Sequence, residues 1–267
     1  MKIVVLVKHV PEPTATWRFA DDLTVDRDGV EGRLSELDEC AVEQALRVVE
    51  GGQPAEIVFL TMGPAKAADA LRKALAMGGD RAVHVSDDAL HGSDVLSTSL
   101  VLAKAVERIG FDLVICGMAS TDAEMSVLPS MLADRLGVPQ ATLAGDLRVD
   151  VTADAGPAEG TVTVHRDGDT ATEEVAAPLP AVVSVTDQSG EPRYPTFKAI
   201  MAARRKPAET WSLADLGIDP GQVGLAGAGT VVLTTRPRPP RQAGTVVVDE
   251  GDGASALADF LVTQKFL

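Results

Sequence analysis

The sequence predicts a doubly wound parallel α/β sheet with a small antiparallel extension and an extended C-terminal arm. Three observations predict it. Short unbroken apolar runs recur up to Gly137, each followed by helical periodicity, the alternation that builds a right-handed parallel sheet. After Pro139 the texture changes to alternating segments split by Gly, Pro and Asp, the pattern of antiparallel strands. Beyond Trp211 the chain turns Gly- and Pro-rich, too poor in apolar residues to bury a core alone. The expected division is a domain over residues 1–210 and an arm over 211–267.

Lys2–Val7 (KIVVLV) reads as a buried strand, broken by Lys8–Pro13. Phe19–Arg33 is charged and punctuated by glycine, like an exposed hairpin turning near Asp28-Gly29. Leu34–Glu50 is an amphipathic helix with Leu37, Ala41, Ala45 and Val48 on one face, closed by Gly51-Gly52. Glu56–Thr61 is the second strand. Its helix starts after Gly63-Pro64, carries Ala67, Leu71, Ala74 and Leu75 inward, and stops at Gly78-Gly79. Arg81–Ser86 is the third strand, and Ser93 caps a helix through Leu96, Leu100, Ala103 and Val106. Ala141–Val151, Gly160–Arg166 and Ala171–Val175 form the extension, Pro180–Thr186 returns as a buried strand, and Ala254–Gln264 is a last short helix. Arg236–Arg241 (RPRPPR) reads as extended, polyproline-like chain.

The organising stretch is Phe111–Gly137. Leu113–Cys116 is a strand covered on both faces, Gly117 ends it, and Ser120, Thr121 and Asp122 are helix-cap residue types. Helical spacing follows through Met125, Leu128, Leu132 and Leu136. A strand that turns at glycine into a helix start offers free amides and a positive dipole end at the carboxyl edge of the sheet, which suits an anion. An ordinary α/β connection has the same pattern.

Acidic residues outnumber basic ones 39 to 24, for a net charge of −15, which argues against nucleic acid and anionic membranes as partners. Cys40 and Cys116 support neither a disulfide framework nor a zinc site. With no apolar leader and no bilayer-length apolar run, a cytoplasmic protein without membrane insertion is expected.

Much chemistry is missing. The first strand ends in Lys8-His9 rather than G-x-G-x-x-G, and Gly224–Gly229 lacks the strand–helix context. Neither a lysine phosphate loop nor a G-x-S-x-G elbow occurs. His9, His84, His91 and His165 stand apart, so no metal is expected, and no carboxylate pair suggests acid–base work. The scaffold suits a nucleotide, but it has no nucleophile, base or metal, and no catalytic residue is assigned.

One segment breaks the acidic background: Glu191–Pro207, EPRYPTFKAIMAARRKP. Prolines stiffen it, Phe197 sits at the bend before a short helix, and Arg204, Arg205 and Lys206 follow. An apolar tip beside concentrated positive charge is the composition of a docking element, and Arg193, Tyr194, Phe197, Ile200, Met201, Arg204 and Arg205 are its candidate contacts. The alternative is a surface helix with Phe197 folded back onto its own core.

Together with PAVVSV at Pro180–Val185 and Asp215-Leu216-Gly217, that segment closely resembles the signature region of the beta subunit of electron-transfer flavoprotein. The opening KIVVLVKHV, Ala41-Val42-Glu43, Gly63-Pro64, the run ALAMGGD at Ala74–Asp80 and Pro239–Gly244 match as well, so the resemblance spans nearly the whole chain. It implies an adenine-nucleotide-binding type of sheet and an electron carrier rather than an enzyme. The alpha subunit would hold a redox-active FAD, while this chain would hold a structural AMP and supply the loop that acyl-CoA and related dehydrogenases recognise. Electrons would leave for a membrane quinone oxidoreductase, a role in fatty acid beta-oxidation. Residue by residue, the AMP contacts fall on Leu6, Asp38, Met62, Gly117, Met118, Ala119, Ser120, Thr121, Asp122, Ser126, Val127 and Leu128.

The sequence departs from the family in places. Phe197 stands where the family has leucine, and Asp38 lies in a region where relatives often have asparagine. Pro13 occupies a position where some relatives place a tyrosine against the flavin, and whether Trp17 substitutes is open. One branch of the family binds a second FAD in place of AMP and bifurcates electrons. Its glutamine–valine–glycine run is not seen at Ser126–Pro129, which favours AMP. A non-redox adenine-nucleotide-binding module is the remaining alternative.

Overall fold

The computed structural model describes residues 1–151, 159–236, 239–240, 244 and 246–266. In chain order the strands are β1 (Lys2–Leu6), β2 (His9–Pro11), β3 (Gly32–Leu34), β4 (Glu56–Met62), β5 (Arg81–Val85), β6 (Leu113–Gly117), β7 (Gln140–Ala144), β8 (Asp146–Asp150), β9 (Thr161–Asp167), β10 (Thr172–Pro178), β11 (Ala181–Val185) and β12 (Ala208–Trp211). The helices are α1 (Glu36–Glu50), α2 (Ala68–Met77), α3 (Val95–Ile109), α4 (Leu128–Leu136), α5 (Phe197–Ala203), α6 (Gly224–Gly227) and α7 (Gly253–Thr263).

Seven strands make one parallel sheet in the order β12-β5-β4-β1-β6-β11-β7. Apolar runs build it because each central strand feeds two cores. Ile3, Val5, Ile57, Phe59, Leu113 and Ile115 point to the face covered by α1 and α2. Their neighbours Val4, Leu6, Val58, Leu60, Val114 and Cys116 point to the face covered by α3 and α4. A doubly wound fold is the result. The chain steps outward from β1 to β4 and β5, then returns to lay β6 on the other side of β1, so the winding direction reverses between β1 and β6.

Three features differ from the sequence reading. The alternating stretch Ala141–Val151 is two strands in two sheets: β7 closes the parallel sheet, and β8 starts the antiparallel sheet β10-β9-β8 beyond Gly145. His9–Pro11 is not a break but a strand paired with β3, and Asp26 Oδ1 accepts from the Gly29 amide (2.9 Å) in the turn between them. The compact unit also reaches past Trp211, to Leu233. Ala208–Trp211 adds an edge strand, and Trp211, Leu213, Ile218 and Val223 are buried, with Arg108 stacked on the Trp211 ring at 4.6 Å.

Residues 234–267 form a separate unit. Its α7 has no buried residue, and Leu257, Phe260 and Val262 are exposed, as are Val246–Val248. The proline–arginine run at 236–241 and the match at 239–244 fall in large part outside the described residues.

Candidate functional site

The carboxyl ends of β1, β4 and β6 meet at the reversal point, and α1 begins there. Ser35 donates its amide to Lys8 O (3.0 Å), which lays the start of α1 against the chain leaving β1. Asp38, in the first turn, is buried, and its Oδ2 accepts from the Lys8 amide (2.8 Å). The Gly117 amide also donates to it, so one carboxylate joins the ends of the two strands that flank the reversal. Burial is the main reason its pKa rises to about 7, against the lowering effect of those amides and the Lys8 charge.

Four buried polar atoms at this edge have no partner: His9 Nε2, Ser35 Oγ, Thr61 Oγ1 and Thr121 Oγ1. They come from the start of β2, the end of β4, the start of α1 and the loop after β6. Buried polar atoms are normally satisfied, so unpartnered ones along this edge are groups a polar ligand could engage. The residues therefore fit an adenylate, whose ribose, base and phosphate offer both donors and acceptors. Burial, then the Lys66 and Arg27 charges, lowers the His9 pKa and so disfavours the charged imidazolium.

The loop from Gly117 to Leu128 departs from its expected form. Ser120, Thr121 and Asp122 do not cap the helix, which begins ten residues after the strand, at Leu128, with Pro129 in its first turn. Glu124 and Ser126 have φ of 51° and 55°, which a helix excludes. A tertiary contact takes the place of the cap. Asp122 pairs with Lys8 Nζ (2.8 Å) and Arg27 Nη2 (2.5 Å), and Lys8 Nζ also donates to Ser120 Oγ (3.3 Å). Burial opposes the ionised carboxylate, but the Lys8 and Arg27 charges outweigh it and hold Asp122 at about 2. The trio carries one net positive charge at the edge where an anion was expected.

Leu6, Asp38, Met62 and the segment Gly117, Met118, Ala119, Ser120, Thr121 and Asp122 thus gather on one edge, with β1 and β4 in register at Leu6 and Leu60. Ser126 and Val127 are exposed, no described hydrogen bond ties their side chains to this edge, and Leu128 packs on the α3–α4 core. Lys8, His9, Arg27 and Thr61 join this edge without having been expected there from the sequence, while Ser35 lies in the helix-start region that the resemblance indicated. Lys8, His9 and Thr61 had one signal, polar residues at the ends of otherwise apolar runs; Arg27, in the loop between β2 and β3, had none. A cleft of about 190 Å³ lies beside the site, lined by Met118, Leu143, Gly145, Thr186 and Gln188 among others.

A second surface stands on the docking segment. Tyr194 and Phe197 are 93% and 79% exposed, and Ile200 and Met201 are half-exposed beside them. Phe197 does not fold back onto the core. Thr196 Oγ1 accepts from the Ala199 amide (3.2 Å) and starts α5, whose Ala203 is buried at the other end. Arg204 and Arg205 are exposed and form no ion pair among the described residues. Lys206 instead donates to Leu75 O (2.7 Å) and Gly78 O (2.8 Å) at the end of α2, and Arg193 is committed to Glu43 and Glu50.

Residues 22–216, which hold the second surface and all of the first except Leu6, Lys8 and His9, match the electron transfer flavoprotein domain. The electron transfer flavoprotein subunit beta of Mycobacterium leprae is 42% identical to this chain over 99% of each. The chain belongs to the electron transfer flavoprotein beta-subunit family. Other members are more distant. The subunit beta of Megasphaera elsdenii is 32% identical over the full length of both chains. The caffeyl-CoA reductase-Etf complex subunit CarD of Acetobacterium woodii is 29% identical over 99% of this chain and 97% of its own. Among the described residues, no helix is long and apolar enough to cross a membrane and no group of side chains is arranged to hold a metal.

Proposed function

We propose that this chain is the beta subunit of a heterodimeric electron-transfer flavoprotein, a carrier and not an enzyme in its own right. The observation that carries the proposal is the end-to-end similarity to electron transfer flavoprotein beta subunits, at 42% identity to that of Mycobacterium leprae. In this reading the alpha subunit holds most of the FAD, which supplies the redox chemistry when bound. Electrons come from acyl-CoA and related dehydrogenases and leave for a membrane quinone oxidoreductase, with the complex in the cytoplasm.

This chain's own residues do three things. Ser35, Asp38, Thr61, Thr121 and the Ala119–Asp122 amides hold AMP as a structural ligand, with Lys8 and Arg27 supplying positive charge nearby. A ligand bound only by the native state stabilises it by about 2.7 kcal/mol at a hundred times its dissociation constant. Tyr194, Phe197, Ile200 and Met201 form the tip that docks the dehydrogenase, and Arg204 and Arg205 steer an acidic surface toward it. The arm, residues 211–267 by composition, wraps the alpha subunit with its last part. Support for this comes from the apolar side chains that 246–262 leaves uncovered.

A second reading has a second FAD in place of AMP, favoured by the likeness to a subunit of a reductase–Etf complex. Co-expression with the gene for a flavin-binding alpha partner tests the proposal. A yellow two-chain complex that dehydrogenases reduce is expected, and a colourless monomer would overturn it.

A further inference from the structure

The docking segment has almost no backbone support. Among the described residues, no backbone–backbone hydrogen bond involves Gly190 to Pro195. Side chains from α1 hold it instead. Gln44 Nε2 and Arg47 Nη1 donate to Ser189 O at 2.5 and 3.1 Å. Arg193 then turns back onto the helix. Its Nε and Nη2 donate to Glu43 at 2.8 and 3.2 Å, and its amide reaches Glu43 Oε2 at 3.2 Å. Nη1 and Nη2 donate to Glu50 at 2.6 and 2.9 Å. Glu43 is only 5% exposed, so losing Arg193 would strand a buried carboxylate with Arg47 as its one remaining cation.

We propose that Arg193 is a positioning residue rather than a dehydrogenase contact: its double fork onto Glu43 and Glu50 pre-organises the exposed Tyr194–Phe197 tip before any partner arrives. A guanidinium suits this role because it satisfies two carboxylates in fixed geometry, which an ammonium does not. A tip already ordered spares the binding step the cost of ordering it. The helix that holds the clamp also carries Ser35 and Asp38 at its start, so tip and nucleotide edge rest on one rigid element. The inference rests on the reading that this tip docks a dehydrogenase.

Hydrogen exchange on the intact heterodimer tests the clamp without a dehydrogenase. Arg193→Gln should speed exchange of the residue-193 amide, which donates to Glu43, roughly tenfold or more, with Arg193→Lys in between. Glu50→Gln removes only the exposed half of the fork, so it should fold normally and give a smaller rise at the same amide. Wild-type exchange in both Arg193→Gln and Glu50→Gln would overturn the inference. Kinetics separate it from the docking reading. Arg193→Gln should raise the dehydrogenase's KM for the flavoprotein and leave kcat nearly unchanged, while Phe197→Ala should raise KM without altering exchange. An unchanged KM in Phe197→Ala would sink the docking reading, and the exchange result would still decide the clamp.

Discussion

Gly117 lies so close to Asp38 that a Cβ added to it would sit 2.6 Å from the Asp38 carboxylate and 2.8 Å from the Leu37 carbonyl carbon. The second distance is to backbone, which cannot swing aside. Only glycine lets the first turn of α1 approach the end of β6 and place the carboxylate between two strands. Gly117→Ala should therefore cost about 1–3 kcal/mol through overpacking and loosen nucleotide binding. Denaturant unfolding checks the first part, and an unchanged midpoint would mean that the two elements are free to separate.

Asp38 gives the chain an unusual pH response. Its folded-state pKa is about 7, against 3.8 for the free group, so between those values the native state holds a proton that the unfolded chain releases. Stability falls as pH rises through that window, by up to about 4 kcal/mol for a shift of this size. Asp38→Asn should lose the downward slope that Asp38 adds between pH 4 and 7. Asp122 acts in the opposite sense. Held at about 2, it contributes stability above pH 4 that is lost as pH drops toward 2. Unfolding midpoints across pH, measured for both proteins, decide the matter, and parallel curves would contradict the buried-carboxylate account.

Phe197 is the largest apolar side chain on the docking tip, and truncating an interface anchor typically costs 2 kcal/mol or more. Phe197→Ala should slow reduction by the dehydrogenase, with a KM for the flavoprotein raised at least about tenfold. The FAD spectrum of the heterodimer should stay the same. Stopped-flow reduction at varied flavoprotein concentration measures this, and equal rates for the two proteins would remove the anchor role.

The parts of the fold that were legible in the sequence are those with a local cause. Lys2–Leu6, Glu56–Met62 and Leu113–Gly117 are unbroken apolar runs because both faces are covered, and no other placement buries such runs. The split at Gly145 was hidden because alternation continues across it while the partner strand changes from β11 to β9. The start of α4 was misplaced because Ser120 and Asp122 are cap-type residues whose side chains are taken by Lys8 and Arg27, one of them 95 residues away in the chain. The strand–glycine pattern pointed to Gly117 and the resemblance to Asp38 and the neighbouring Ser35. Thr61 needed coordinates, since a hydroxyl at the end of a strand looks ordinary until its missing partner is seen. Arg193 shows the same limit, because composition cannot tell an arginine facing a partner from one locked to Glu43.

In the proposed function an adenylate is held as a strut at the edge where the winding reverses between β1 and β6, and the redox flavin belongs to the alpha subunit. The most direct measurement is to denature the purified heterodimer and quantify the released nucleotides by chromatography. One FAD and one AMP per complex is the predicted result; two FAD and no AMP would contradict it.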